Sequence, residues 1–471
     1  MRLEAHASSV WSNEGEPRAR PSERCKSCTP PKQLTELRYT TGRAIPRRRW
    51  GIAALLGFGI LVNYFDRVNL SVSRDALHDA FGISTVMFGY LLSAYNWTYM
   101  MLQIPSGLLL DRFGVRRVGT VSTIIWSVAS FFAAISTGIG ALFGSRFLLG
   151  IGEAPTFPGN SKAVGYWFPK NERSLATAMF DSMAKFSSAI GVPILAFVLS
   201  HFGWRWNFGV TGIISLVYFA LFCVYYKNPS RDRQLSEVER EHIRRGGAQL
   251  EDAVRAAAGA PLGYLLRQPK VLGLALGYGS YNYVFYLLLT WLPSYLSAAH
   301  HMDLAHSAFY TSVPWLCATV AELIVGGWLV DFLVQRGWNS VRVRQTVLVG
   351  GTLLGLGIFG VAYAQSTQAA VGWITISITG LSIAAPVGWS MPSLIAPRES
   401  VGTVGGIMNL CNQIAGIAAP IATGYIVAST KSFAWAFVTA AIFLVIGVCG
   451  YIFLLGDMAT IPEPGGSSEG L

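Results

Sequence analysis

The sequence predicts an all-α membrane protein of about twelve spanning helices, and three observations carry that prediction. Of its 471 residues 52% are hydrophobic and only 13% are charged, about half of the roughly 25% expected of a soluble chain. Apolar stretches recur at about 20 residues, the length a helix needs to cross the hydrocarbon core. These stretches fall six and six around a polar, basic segment.

The first six lie near residues 50–70, 86–110, 116–137, 141–165, 173–199 and 204–226. The second six lie near 270–297, 307–331, 345–364, 369–392, 401–428 and 432–456. The domain reading follows: a tail over 1–48, an N-terminal bundle over 49–226, a linker over 227–268, a C-terminal bundle over 269–457 and a tail over 458–471. The first tail is rich in Pro, Arg, Glu and Ser with no continuous apolar run, which reads as disorder rather than a signal peptide. The linker carries Arg231, Arg233, Glu237, Glu239, Arg240, Glu241, Arg244 and Arg245 and reads as soluble, with one surface helix.

The net charge of +11 does not call for nucleic acid, because the basic residues flank apolar stretches. Their bias sets topology instead. Arg47, Arg48 and Arg49 precede span 1, Arg112, Arg116 and Arg117 follow span 2, and Lys170 and Arg173 follow span 4. Arg336, Arg342 and Arg344 follow span 8 and Arg398 follows span 10, while the opposite loops offer little beyond Arg74 and Lys431. Both termini are therefore expected in the cytoplasm of a cell (inner) membrane. Cys25 and Cys28 form a lone C-x-x-C with no partner pair, so neither a disulfide framework nor a metal site is expected.

The halves echo each other: "APTFPGNSKAVGYWFPKNERS" against "APVGWSMPSLIAPRES", and "GLLLDRFGVRR" against "GWLVDFLVQRG". Such repeats build transporter folds, with the ligand site at the midplane between them. Between spans 2 and 3 stands Gly107-x-x-x-Asp111-Arg112-x-Gly114-x-Arg116-Arg117. Gly107 suits close helix approach, Asp111 suits pairing with cations across a helix gap, and the arginines anchor the loop. With six plus six spans and a basic linker, this string resembles the major facilitator superfamily, over nearly the whole chain from residue 50. The resemblance implies two six-helix bundles around a cleft, and a conformational latch at this motif.

Charge within the spans is the chemical signal. Arg146, Gly150 and Glu153 in span 4 share one helical face. Each charge costs roughly 2.5–3.5 kcal/mol at a helix centre, so two on one face suggest function; a structural Arg–Glu pair is the plainer alternative. In span 1, Asp66 and Arg67 project about 100° apart and each needs a partner from another span. Arg67 near Glu153 and Asp66 near Arg146 would serve; snorkelling to the outer interface is the plainer alternative.

"NYFDRVNL", "YNWTYMMLQIPSGLLLDRFG", "RFLLGIGEAPTFPGN" and "WFPKNERS" together resemble the anion:cation symporter family, which includes bacterial sugar-acid carriers and sialin-type carriers. The resemblance implies proton-coupled symport of a carboxylate, with Asp66 and Glu153 as proton-coupling acids. It implies Arg67, Arg146 and Tyr99 in the substrate and coupling network, with Asn282, Tyr286, Asn409 and Asn412 as polar substrate positions. Elementary chemistry agrees, since a carboxylate in a low-dielectric cleft needs a cation and guanidinium fits it bidentately.

Two features depart from that family. Asp181 and Lys185 sit four apart in span 5, either as a self-contained ion pair or with Lys185 as a second substrate cation. Glu322 is an acid among apolar residues of span 8, a partner for Lys185 or an extra proton site. His300, His301 and His306 cluster in a loop and read as solvated. No phosphate-cradling or dinucleotide motif and no nucleophile elbow is present, which disfavours a nucleotide-driven pump or an enzyme. The expectation is a monomeric secondary transporter working by alternating access on a small organic anion and protons, without cofactor, metal or nucleic acid. A proton-driven exporter of drugs or metabolites, and an anion sensor that transports nothing, are the alternatives.

Overall fold

The structure is a computed structural model that describes residues 47–169, 172–248, 260–300, 302, 304–397, 400–456 and 458–463. Cys25, Cys28, His301 and nearly all of the expected first tail lie outside the described residues. Every regular element among these residues is helical, as lipid demands of an unpaired chain, because a helix satisfies its backbone groups internally.

Before the linker run α1 (Arg48–Val72), α2 (Thr85–Met101), α3 (Gln103–Ala134), α4 (Ile139–Glu153), α5 (Thr156–Trp167), α6 (Arg173–Phe202) and α7 (Trp204–Tyr225). The linker holds α8 (Glu237–Arg245). After it come α9 (Pro269–His300), α10 (Leu304–Ala321), α11 (Ser340–Gly355), α12 (Thr367–Ile395), α13 (Val401–Thr430) and α14 (Ala434–Cys449). A π-helical segment, Glu322–Leu329, continues α10.

Among the described residues nine helical stretches are long and apolar enough to cross a membrane. The other three expected spans take different forms. α2 ends at Met101 after 17 residues and the chain restarts at Gln103. α4 stops at Glu153, just before Pro155, and α5 resumes the path; a proline inside the run would have cost a backbone hydrogen bond. α9 is 32 residues long but carries Tyr278, Tyr281, Asn282, Tyr283, Tyr286 and Tyr295.

The distribution of polarity is inside out. Ile104, Phe197, Trp328 and Phe453 are exposed, while Asn63, Asp66, Arg67, Glu153, Lys185 and Glu322 are buried. In water that arrangement would be ruinous; in lipid it is what the solvent asks for. α1 packs on α6 and α7, and α9 packs on α13 and α14. The helices before and after the linker meet where α2 lies on α13, α6 on α10 and α1 on α9.

The linker helix is docked rather than free. Ser236 caps α8 by accepting from the Glu239 amide at 3.2 Å. Glu239 does not reach back to complete the capping box. Its carboxylate instead accepts from the Arg48 and Arg49 amides at 3.2 and 3.0 Å, capping α1 from outside the helix. Arg49 adds Nη1 to Glu239 at 3.0 Å and Nε to Glu172 at 2.7 Å. An acid at a helix N-terminus is favourable through the exposed amides and the macrodipole.

The motif between spans 2 and 3 is built around Gly114, whose φ of +77° breaks α3. That is left-handed backbone, cheap only for glycine. Arg112, Arg116 and Arg117 are exposed. Gly107 corrects an expectation: nothing among the described residues lies within 4 Å of where its Cβ would be, so it makes no close helix approach. The side chain of Asp111 lies outside the described ones.

Candidate functional site

The site begins with the neighbouring pair in α1. Because Asp66 and Arg67 point apart, each is met by different helices, and both are buried, at 2% and 9% exposure. Arg67 turns toward α4 and donates to Glu153 Oε2 from Nε at 3.2 Å and from Nη2 at 3.1 Å. Nη2 also donates to Asn63 at 2.7 Å, one turn back, and Nη1 to the Tyr286 hydroxyl on α9 at 3.3 Å. The guanidinium lies over three rings, Tyr64 at 4.2 Å, Tyr95 at 4.5 Å and Tyr99 at 5.6 Å. A desolvated cation gains from such faces.

Arg146 and Glu153, at 4% and 0% exposure, come from α4 as the spacing predicts. Arg146 meets Asp66 as the charges suggest, but through the backbone: Nη1 donates to the carbonyl of Asp66 at 2.8 Å. The carboxylate is held instead by Ser130 of α3 at 2.6 Å and Ser215 of α7 at 3.2 Å. Arg146 Nε has no hydrogen-bond partner and its guanidinium lies 5.2 Å from the Phe208 ring. Neither buried arginine snorkels to the interface.

Gly150 lies between the two charges and admits a helix rather than a ligand. A Cβ there would overlap Thr98 Oγ1 and the Tyr95 carbonyl of α2. Gly152 likewise admits the backbone of Trp126 in α3. These contacts let α2 bring Tyr95 and Tyr99 against Arg67.

A narrow hollow opens between the halves, lined by Arg67, Tyr95, Arg146, Tyr286 and Thr290 with Leu70, Leu92 and Leu289. Ser71 of α1 donates to the Thr290 carbonyl of α9 at 2.5 Å beside it. Two guanidiniums and phenolic hydroxyls in an otherwise apolar chamber are donors of the kind that can pair with a carboxylate.

The polar positions of spans 7 and 11 divide. Tyr286 joins the Arg67 cluster, while Asn282 donates to the Asn412 backbone carbonyl at 2.5 Å. Asn409 donates to Gln103 of α3 at 3.0 Å, tying α13 to the other half. Among the described residues, the three asparagines make no hydrogen bond to Arg67, Arg146 or Tyr286; they bridge helices. The Oδ1 of Asn412 and the Oε1 of Gln413 are buried without partners.

Lys185 is neither free nor confined to one helix. It donates to Asp181 at 2.8 Å and lies 3.0 Å from Glu322 Oε2 across the α6–α10 boundary. The intrahelical pair is therefore not self-contained. His306 is exposed, and the described residues hold no group of His, Cys, Asp and Glu able to bind a metal.

Sequence reasoning missed Tyr64, Tyr95, Ser130 and Ser215. Tyr95 was within reach, since Tyr95 and Tyr99 are four apart and share a face. The serines gave no signal.

Comparison with known proteins places the chain among transporters. The model of the Major Facilitator Superfamily matches residues 56–420. An uncharacterized transporter, YybO, of Bacillus subtilis (strain 168) is 39% identical over 88% of this chain and 95% of its own length. The D-galactonate transporter of Escherichia coli O6:H1 is 32% identical over 88% of this chain and 97% of its own. Among solved structures, a bacterial homolog of the human lysosomal transporter Spinster, inward-facing and occupied, superposes with a TM-score of 0.65. It is 16% identical, and the match covers 87% of this chain and 97% of that one. The expected kinship with bacterial sugar-acid carriers agrees with these relatives.

Proposed function

This chain belongs to the major facilitator superfamily, and from that premise we propose that it is a proton-coupled symporter of a small organic anion. A sugar acid or related carboxylate is the cargo, moved by alternating access across the cell (inner) membrane with both termini in the cytoplasm. The observation that carries the reading is the Arg67–Glu153 ion pair, set beside Arg146 in a hollow between the halves.

The pair supplies the coupling. An incoming carboxylate competes with Glu153 for Arg67, because a guanidinium fork satisfies one carboxylate best. Released from its cation in a dry site, Glu153 is stabilised by taking a proton, since burial penalises an unpaired carboxylate. Anion and proton then travel together, and loss of the anion restores the pair and expels the proton. Arg146, whose Nε has no partner, offers the anion a second cation. Tyr99 and Tyr286 meet its hydroxyls, and Asp66, poised on two serines, is a second acid in the same relay. The relative named a D-galactonate transporter supports the cargo class.

The test is uptake of labelled galactonate by proteoliposomes under an imposed inward proton gradient. The expected result is transient accumulation above equilibrium that a protonophore abolishes. Accumulation indifferent to the protonophore would refute the coupling. Efflux driven against the inward proton gradient would make the protein an exporter, and binding without flux would make it a sensor.

A further inference from the structure

A second buried charge cluster lies apart from the arginine site. Asp181, Lys185 and Glu322 are 7%, 2% and 0% exposed. Lys185 donates to Asp181 at 2.8 Å and stands 3.0 Å from Glu322. The cluster has two acids and one cation. Tyr281 of α9 and Tyr64 of α1 pack on the Phe285 ring beside it, with Tyr278 against Tyr281, and a phenol brings no charge near neutral pH. The Phe285 ring lies 5.9 Å from Lys185. α12, which also packs on this segment, contains no ionisable side chain between Thr367 and Ile395.

Ionised throughout, the cluster would leave one uncompensated negative charge in the membrane interior, a costly state. The geometry indicates how that charge is removed. Both carboxylates stand on the one Lys185 ammonium, Asp181 at 2.8 Å and Glu322 at 3.0 Å, yet neither oxygen of Glu322 accepts a well-directed hydrogen bond. The Lys185 ammonium brings a single positive charge to two acids, so one proton on the carboxyl pair neutralises the cluster and gives Glu322 a hydrogen-bonding role it otherwise lacks.

We propose that Asp181, Lys185 and Glu322 form a second proton-binding site, which holds one proton while α6 and α10 are together and releases it when they part. α6 precedes the linker and α10 follows it, so the cluster spans the boundary that alternating access must open. On separation Asp181 keeps Lys185 through their four-residue spacing, and Glu322 meets water as a lone acid that ionises. Glu322 also opens a π-helical segment, a local widening that recurs at functional sites. The release step makes this a coupling site, and that half of the inference rests on the symport reading above.

Infrared spectroscopy of the purified protein at neutral pH tests the site without any transport. The expected spectrum holds a protonated-carboxyl stretching band that disappears in both Glu322→Gln and Asp181→Asn, since either change leaves one acid to one lysine. Lys185→Met should strengthen absorption in the same region by adding a second protonated acid. The two acid variants back each other should one fail to fold. A band that persists in both would overturn the site, whether or not the protein proves to be a symporter. The coupling half is read from the proton-to-anion ratio in proteoliposomes, obtained from the voltage that balances flux. Glu322→Gln should lower that ratio by one, and an unchanged ratio would reduce the cluster to a fixed structural proton.

Discussion

Arg67 places two donors on a single oxygen of Glu153, Oε2, at 3.1 and 3.2 Å, and leaves Oε1 buried with no hydrogen-bond partner. A buried acceptor left unpaired costs about 1–3 kcal/mol, so the pair holds its acid half-satisfied, and on the proposed symport Oε1 is where the proton goes. Glu153→Gln preserves the acceptor facing Arg67 but abolishes that proton site. The variant should still exchange labelled for unlabelled anion across the membrane, while uptake driven by an inward proton gradient falls to the equilibrium level. Uphill accumulation by the variant would remove Glu153 from the coupling path.

Arg67→Lys keeps the charge and loses the fork. A lysine cannot hold a carboxylate bidentately or stack flat against Tyr64 and Tyr95. Loss of one charge-assisted hydrogen bond, about 1.5–3 kcal/mol, should weaken anion binding on the order of 10–100-fold. Arg146→Ala should weaken it at least as much, since its Nε is the donor without a present partner. Both are read by isothermal titration of the purified protein, and unchanged affinity would move the anion site elsewhere.

Gly150 tests the scaffold rather than the chemistry. A methyl group there would strike α2 at the Tyr95 carbonyl and Thr98, forcing α2 and α4 apart at a cost of about 1–3 kcal/mol. Gly150→Ala should lower the melting temperature and weaken anion affinity together, because the displaced helix carries the rings over Arg67. A change in stability with no change in affinity would mean that the rings do not shape the site.

The contrast between Arg67 and Ser130 explains how much of this was legible beforehand. Charges inside apolar stretches stand out because lipid makes them expensive, and helical spacing alone placed Arg146 and Glu153 on one face. The α1–α4 pairing of Arg67 with Glu153 followed from charge complementarity. Ser130 and Ser215, which hold Asp66, were invisible, since serine is cheap in membrane helices and usually bonds its own backbone. Gly107 misled for a related reason: a glycine announces room, not which helix fills it. The π-helical turn at Glu322 arises from packing, and no residue pattern announces it.

The ion-pair cluster at the linker gives a pH prediction of definite sign. Burial works to raise the Glu172 carboxyl, but hydrogen bonds from Arg49 and His242 outweigh it and hold the group below the usual glutamate value. A depressed carboxyl stabilises the folded state above the unfolded pKa, and that stability is lost as pH falls through the folded value. Glu172 is partly solvated, so screening limits its contribution to about 1 kcal/mol or less. Glu172→Gln should therefore melt below the wild type at pH 7, and the gap should narrow as the pH drops below about 4. High salt at neutral pH should narrow it too. A gap of constant size from neutral to acid pH would show that Glu172 contributes shape rather than charge.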